Sequence, residues 1–284
     1  MLYSLTEFSR EFGSPDACLA RIFAEQAIGA CPSCGSTAPF YRIASRPCYA
    51  CPACKYQYYP LKYTIFAHSS TPLPLWFYAI YLFGNSKRGI SAKELERILG
   101  VTYKCAWRMA KQIRTLFVEE DTPLDGIVEV DEAFIGGIWK HHAGRYPRRK
   151  VPLLGMVERQ GRVKVMIIPD VKGVSLLPRM VEHIAQHATV ITDDASGYRR
   201  LSKRHFDHHI INHSKRHYVD GMIYTNTVEG FWSILKRSIK SAHISVSPKY
   251  LQSYVDEVVW KYNRRFSSVS LAQLLVERSL QPCG

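Results

Sequence analysis

"IVEVDEAFIGG", residues 127–137, is the stretch whose reading decides the fold. Apolar and acidic residues alternate along it, as on a strand, and a glycine pair then ends it. Asp131 sits near the strand's end among apolar neighbours, where a carboxylate buried alone is costly. Downstream, "VPLLGMVERQGRVKVMIIPD" (151–170) reads as a hairpin turning around Arg159, Gln160 and Gly161. "SLLPRMVEHIAQHA" (175–188) reads as a helix and "TVITDDASGY" (189–198) as a strand ending in Asp193 and Asp194. Two helices follow, at about 226–241 and 248–265. Strand, hairpin, helix, strand, helix predicts an α/β domain over 124–266, a mixed sheet flanked by helices.

The helix "TNTVEGFWSILKRSIKSAH" (225–243) carries two stripes. Val228, Phe231, Trp232, Leu235 and Ile239 form an apolar face, while Asn226, Glu229, Ser233, Lys236 and Lys240 run alongside. Locally, Asn226 can cap the helix with Glu229 bonding back to it, close to a capping box. Glu229 can equally be a third acid beside the strand-end aspartates. Hard oxygen ligands on rigid strands are what Mg²⁺ requires, and two ions can clamp both oxygens of an in-line phosphoryl displacement.

Upstream, "EEDTPLDG" (119–126) is a polar break. Before it, "ISAKELERILGVTYKCAWRMAKQIRTLF" (90–117) reads as helix, tight turn, helix within a module spanning 70–118. Ser91 with Glu94 starts the first helix, Gly100 ends it and Thr102 caps the second. Ala106, Ala110, Ile113 and Phe117 face inward, while Lys104, Arg108, Lys111 and Arg114 are basic, as on the recognition helix of a helix-turn-helix. Two C-x-x-C knuckles, Cys31/Cys34 and Cys51/Cys54, mark residues 31–60 as a zinc ribbon; a register using Cys48 with Cys51 is the alternative. Residues 1–30 read as a helical segment and 267–284 as a C-terminal tail.

Thirty-eight Lys and Arg against 24 Asp and Glu leave a charge of +14, which points to a polyanion such as nucleic acid. The first twenty residues hold Arg10, Glu11 and Asp16 and no continuous apolar run, so no secretory leader is expected. "PLPLWFYAIYLF" (72–83) is too short to span a bilayer, so no membrane partner is expected and the location expected is cytoplasmic, with the nucleoid. Without that leader, eight cysteines point to metal ligands rather than disulfides.

The knuckles, "GISAKELERILGVTYKCAWRM", "VEVDEAFIGG", "TDDASGY" and "NTVEGFWSILKRSIKSAHISVSPKYLQSYVDEVVWKYNRR" together resemble the DDE-type transposases of bacterial insertion sequences, in the class with an N-terminal zinc ribbon (ISXO2-like). The resemblance runs from about Cys31 to Arg265. It implies a ribonuclease H-like catalytic domain and Mg²⁺-dependent cleavage and joining of transposon ends, with Mn²⁺ able to substitute. Its two aspartates map onto Asp131 and Asp193 in preference to Asp194. Its third position maps onto Glu229 or Asn226, and Lys236 matches a basic residue for end-DNA binding, with Lys240 one turn on. Asp131 is then the bridging ligand of two ions, with Asp193 and Glu229 on separate ones. Partners implied are transposon ends, target DNA and a second copy of the chain. The alternatives are a DNA-binding protein with an inert catalytic domain, and a ribonuclease H-like nuclease without strand transfer.

Other segments are read more plainly. "KHHAGRYPRRK" (140–150) is a basic segment that could reach phosphates, and "KRHFDHHIINHSKRH" (203–217) is histidine-rich without a zinc spacing. His183 and His187 are expected at the surface, and Trp232 and Trp260 in the core.

Overall fold

The computed structural model describes residues 3–136, 150–193, 196–198, 206–211 and 225–282. The chain divides into two compact units, one of Met1–Leu116 with Ser267–Gly284 and one of Phe117–Phe266.

The first unit opens with α1 (Leu5–Phe12) and α2 (Pro15–Glu25). Ser4 accepts from the Glu7 amide and the Glu7 carboxylate bonds back to the Ser4 amide, a reciprocal cap. Ser14 caps α2, whose first position is Pro15. A three-stranded antiparallel sheet follows, β1 (Tyr41–Ile43), β2 (Cys48–Ala50) and β3 (Gln57–Tyr58). Next come α3 (Leu73–Asn85), α4 (Ala92–Leu99) and α5 (Tyr103–Arg114). Ser91 accepts from the Glu94 amide, Gly100 ends α4 at φ 65°, and Thr102 accepts from the Cys105 amide. Ala106, Ala110 and Ile113 on α5, and Phe117 beyond it, are all buried.

The second unit holds β4 (Ile127–Ile135), β5 (Val151–Glu158), β6 (Val163–Ile167), α6 (Gly173–His183), β7 (Thr189–Asp193), β8 (Asp207–Ile211), α7 (Asn226–His243) and α8 (Leu251–Asn263). The sheet order is β6-β5-β4-β7-β8. The first three strands are antiparallel, and β7 and β8 run parallel to β4, so the sheet is mixed, as the element order predicts. Strand β8 is an addition: its "DHHII" pattern has too few apolar residues to announce a strand.

Each central strand sends alternate residues to opposite faces. Val128, Val130, Leu154, Met156 and Val190 meet Leu176 and Met180 of α6 on one face. Ala133, Leu153, Val157 and Val163 meet α7 and α8 on the other. Helix α8 also covers the edge of β6, whose unpaired groups would otherwise stay open. Gln252 accepts from the Ile167 amide and donates to the Val165 carbonyl, while Asn263 accepts from the Val163 amide and donates to its carbonyl.

Gln252 also donates to Asp256, whose pKa burial pushes up to about 6. A raised carboxyl pKa means that the fold favours the protonated form, so stability is full below the unfolded pKa and falls as pH rises through about 6. Each pKa unit is about 1.4 kcal/mol, which sets a ceiling of about 3 kcal/mol. Asp256→Asn is expected to stabilise the fold by about 1–2 kcal/mol at pH 8, after allowing for partial solvation, and to change nothing at pH 3.5. Denaturant midpoints at the two pH values check this; equal gains at both would refute it.

Residues 267–284, expected as a tail, contain α9 (Leu271–Leu280). Gly84 of α3 lies so close that a Cβ there would stand 2.3 Å from the Ala272 Cα, and Ala272, Leu275 and Leu280 are fully buried. Small residues on both helices permit that approach. Among the described residues, no helix is long and apolar enough to cross a membrane.

Candidate functional site

The two cysteine knuckles repeat one backbone pattern. The Cys31 amide donates to Ser36 O (2.8 Å) and Gly35 to Cys31 O (2.9 Å); the Cys51 amide donates to Tyr56 O (3.0 Å) and Lys55 to Cys51 O (3.0 Å). Gly35 and Lys55 occupy matching left-handed positions, φ 73° and 63°. The turns bring the Sγ atoms of Cys31, Cys34, Cys51 and Cys54 within 4.8 Å of one another. Cys31–Cys54 is 3.7 Å and Cys34–Cys51 is 3.8 Å. Ligands about 2.3 Å from a tetrahedral zinc ion stand about 3.8 Å apart, so the cluster fits structural zinc. Cys48 is buried on β2, outside that cluster.

In the second unit the acids of β4 organise the site. Glu129 and Asp131 point to the face covered by α7, and Glu132 points to the other. Asp131 Oδ2 accepts from Trp232 Nε1 at 3.0 Å. Burial raises the Asp131 pKa; the Glu132 amide and the Trp232 indole oppose the rise, and the charges of Asp193 and Glu229 add to it. The three acids therefore share one electrostatic neighbourhood, drawn from β4, the end of β7 and the first turns of α7. They are not packed as tightly as the thiols: among the described residues, only the four cysteines gather three or more metal-binding groups within 4.8 Å.

The Asn226 cap, one of the two roles the sequence allows this turn, is not formed. The helix begins at Asn226, its N-cap is Thr225, and no side chain of that residue caps it. Glu129, fully buried, does so from 98 residues away in sequence: its Oε2 accepts from the Thr227 amide at 2.8 Å and from the Val228 amide at 3.0 Å. Asn226 and Glu229 are both left exposed on the polar stripe, with Lys236 and Lys240. Trp232 is buried as expected, yet its N–H serves the acid. Its indole fits because Gly155, paired with Asp131 across the sheet, has no side chain; a Cβ there would stand 2.4 Å from the ring.

Glu132 escaped the sequence reading. Burial, with the charges of Asp131 and Asp193, lifts its pKa to about 7 against the opposing influence of the Tyr198 hydroxyl. That hydroxyl is buried and approaches Glu132 without completing a hydrogen bond of good geometry. The "DE" pair in "EVDEAF" was the available signal.

The basic residues of α5 divide. Lys104 and Lys111 are exposed, and Arg108 is half-buried and donates to the Ala67 carbonyl at 2.9 Å. Arg114, expected to face DNA, is instead 3% exposed: its guanidinium donates to the Ile90 carbonyl at 3.2 Å and lies 5.1 Å from the Phe83 ring centre. Its position falls on the buried side of the helix, beside Ile113. His183, expected at the surface, is mostly covered and pairs with Asp121 at 2.9 Å. Asp194, all of 140–149, and 203–205 with 212–217 of the histidine-rich run lie outside the described residues.

Residues 123–263 match the ISXO2-like transposase domain family. A protein of Halobacterium salinarum, "Uncharacterized protein in transposable element ISH50", is 26% identical over 247 residues, covering 79% of this chain and 82% of that relative. An "Uncharacterized transposase-like protein" of Haemophilus influenzae is 29% identical over 121 residues, 42% of this chain and 97% of that relative.

Proposed function

The chain belongs to the ISXO2-like transposases through residues 123–263, and on that footing we propose that it binds the terminal inverted repeats of an insertion sequence, cleaves there and joins the ends to target DNA. The observation that carries this reading is the buried Asp131 carboxyl tied to the Trp232 indole, its pKa raised first by burial and then by the nearby charges of Asp193 and Glu229. Three mutually repelling acids fit the hard-oxygen donor set of Mg²⁺ or Mn²⁺. Asp131, Asp193 and Glu229 would hold the divalent ions. Bound there, divalent ions supply positive charge against the attacking and leaving oxygens of an in-line displacement at phosphorus.

The chain's own residues do the positioning. Trp232 holds Oδ2 of Asp131 and so fixes how the carboxylate sits on β4. Glu229 extends from the exposed stripe of α7, and Lys236 and Lys240 continue that stripe as contacts for DNA phosphates. Lys104, Arg108 and Lys111 on α5 add a second basic surface, in the manner of a helix-turn-helix. The strand order, an antiparallel β4-β5-β6 meander followed by parallel β7 and β8, supports a ribonuclease H-like catalytic domain. Synapsis of two ends calls for at least a dimer.

A labelled terminal-repeat duplex incubated with the protein and Mg²⁺ or Mn²⁺ tests this. Cleaved and joined products are expected. Glu229→Ala is expected to lower cleavage by about a hundredfold or more and Asn226→Ala by less than about tenfold, since the former removes a charge worth several kcal/mol to the site. The opposite ranking would transfer the third ligand to Asn226. Cleavage without joining would make the protein a nuclease, and DNA binding without cleavage an inert relative.

A further inference from the structure

We propose that Glu129 is a positioning residue for the catalytic acids: a buried clamp that sets the start of α7, and with it Glu229, against the strand that carries Asp131. The inference rests on the reading of Asp131 and Glu229 as metal-binding acids.

The Glu129 side chain is fully buried and both oxygens are engaged. Besides the two α7 amides on Oε2, its Oε1 accepts from the Thr227 hydroxyl at 2.9 Å and from Arg159 Nε at 2.8 Å. Arg159 sits in the β5–β6 turn and is itself largely covered, 12% exposed. A helix begins with four amides that lack partners, and a neighbouring Ser, Asp or Asn ordinarily serves them. Here α7 has no such side chain, so the acid of another element does the work. Its negative charge also lies at the positive end of the helix.

The spacing makes this clamp a ruler. Glu129 and Asp131 are two residues apart on β4, about 6.8 Å along an extended strand. Their partners on α7, Thr227 and Trp232, are five apart, about 7.5 Å along a helix. The two acids therefore grip α7 at two points in register, and Glu229 lies between those points. If Glu129 lets go, α7 keeps the Trp232 tie but its first turn is no longer held, and Glu229 loses its fixed distance from Asp131.

The zinc-loaded chain carrying Glu129→Gln tests this, because the amide keeps the size but must turn its NH₂ donor toward either the two α7 amide N–H groups or the Arg159 Nε–H. In metal-free active sites, hydrogen exchange of residues 225–230 is expected to accelerate about tenfold or more, with β5 and α8 unchanged. The Mn²⁺ concentration giving half-maximal cleavage is expected to rise about tenfold while the KM for duplex stays within twofold. Thr227→Val, which removes only the hydroxyl bond, should shift both in the same direction by less, and it serves if Glu129→Gln does not fold. Met180→Ala, a core change on the opposite face of the sheet, is the control for general destabilisation. Unchanged exchange at 225–230, or an equal Mn²⁺ shift in the Met180→Ala control, would overturn the proposal. Failure of the underlying reading looks different: Asp131→Asn would leave Mn²⁺ dependence untouched, while the exchange result would still report on the clamp.

Discussion

Asp131→Asn is expected to lower strand cleavage by about a thousandfold or more while leaving the protein as stable as before, or more so at alkaline pH. On the proposed reading, the rate loss follows from taking an anionic ligand out of a site whose chemistry is charge stabilisation. Several kcal/mol of transition-state stabilisation, at 1.36 kcal/mol per tenfold, amounts to about three orders of magnitude. The stability statement follows from the sign of the pKa shift. Burial, with Asp193 and Glu229, raises the Asp131 pKa above its ordinary value, so folding favours the neutral carboxyl. That contribution is present at low pH and is lost as pH rises through the raised pKa. Asparagine has no proton to lose and can still accept the Trp232 N–H. Cleavage rates with Mn²⁺, paired with melting at pH 5 and pH 8, decide the matter. A variant that cleaves within tenfold of the parent would remove Asp131 from the active centre. One that melts much lower at pH 8 would make the acid structural.

Loss of the zinc cluster should unfold residues 31–60 outright. The three strands of that module are three, three and two residues long, too short to stand on their own hydrogen bonds. What it lacks in core a structural zinc can supply, with apparent binding energies of about 10–16 kcal/mol in small zinc modules. Cys51→Ser is therefore expected to abolish bound zinc, about one ion per chain in the parent, and to open residues 31–60 to proteolysis. The buried Cys48→Ser control should keep its zinc, because that thiol lies outside the cluster. Elemental analysis of the purified variants checks both. Zinc retained by Cys51→Ser, or lost by Cys48→Ser, would redraw the ligand set.

Much of this is legible in the sequence. The four-thiol cluster could be read from the C-x-x-C spacing, since each pair is made by one tight turn. Gly100 and Thr102 marked the α4–α5 turn through backbone conformation and capping, both of which act within a few residues. The two stripes of α7 were equally plain, and Val228, Phe231, Leu235 and Ile239 are buried as expected. Arg114 was misjudged because charge suggests a surface, whereas a guanidinium can lie on an aromatic ring and donate to a carbonyl without water. Residues 267–284 read as a tail in sequence because the fit of Ala272 against Gly84 depends on two helices far apart in the chain.

By itself, the sequence determined most of the element order, β8 and α9 apart, together with the thiol cluster and the acid that ends β7, because periodicity, capping and metal-knuckle spacing are short-range; Asp131, expected near a strand end, lies midway along β4. Tertiary structure alone decided what each buried charge meets. Glu129 and Asp131 occupy equivalent places in one alternating strand, yet one clamps the amides of a helix and the other accepts an indole N–H beside two more acids. A carboxylate on a strand looks the same to its neighbours in either role; its partner is chosen by the packing of α7, about a hundred residues away, across the sheet face.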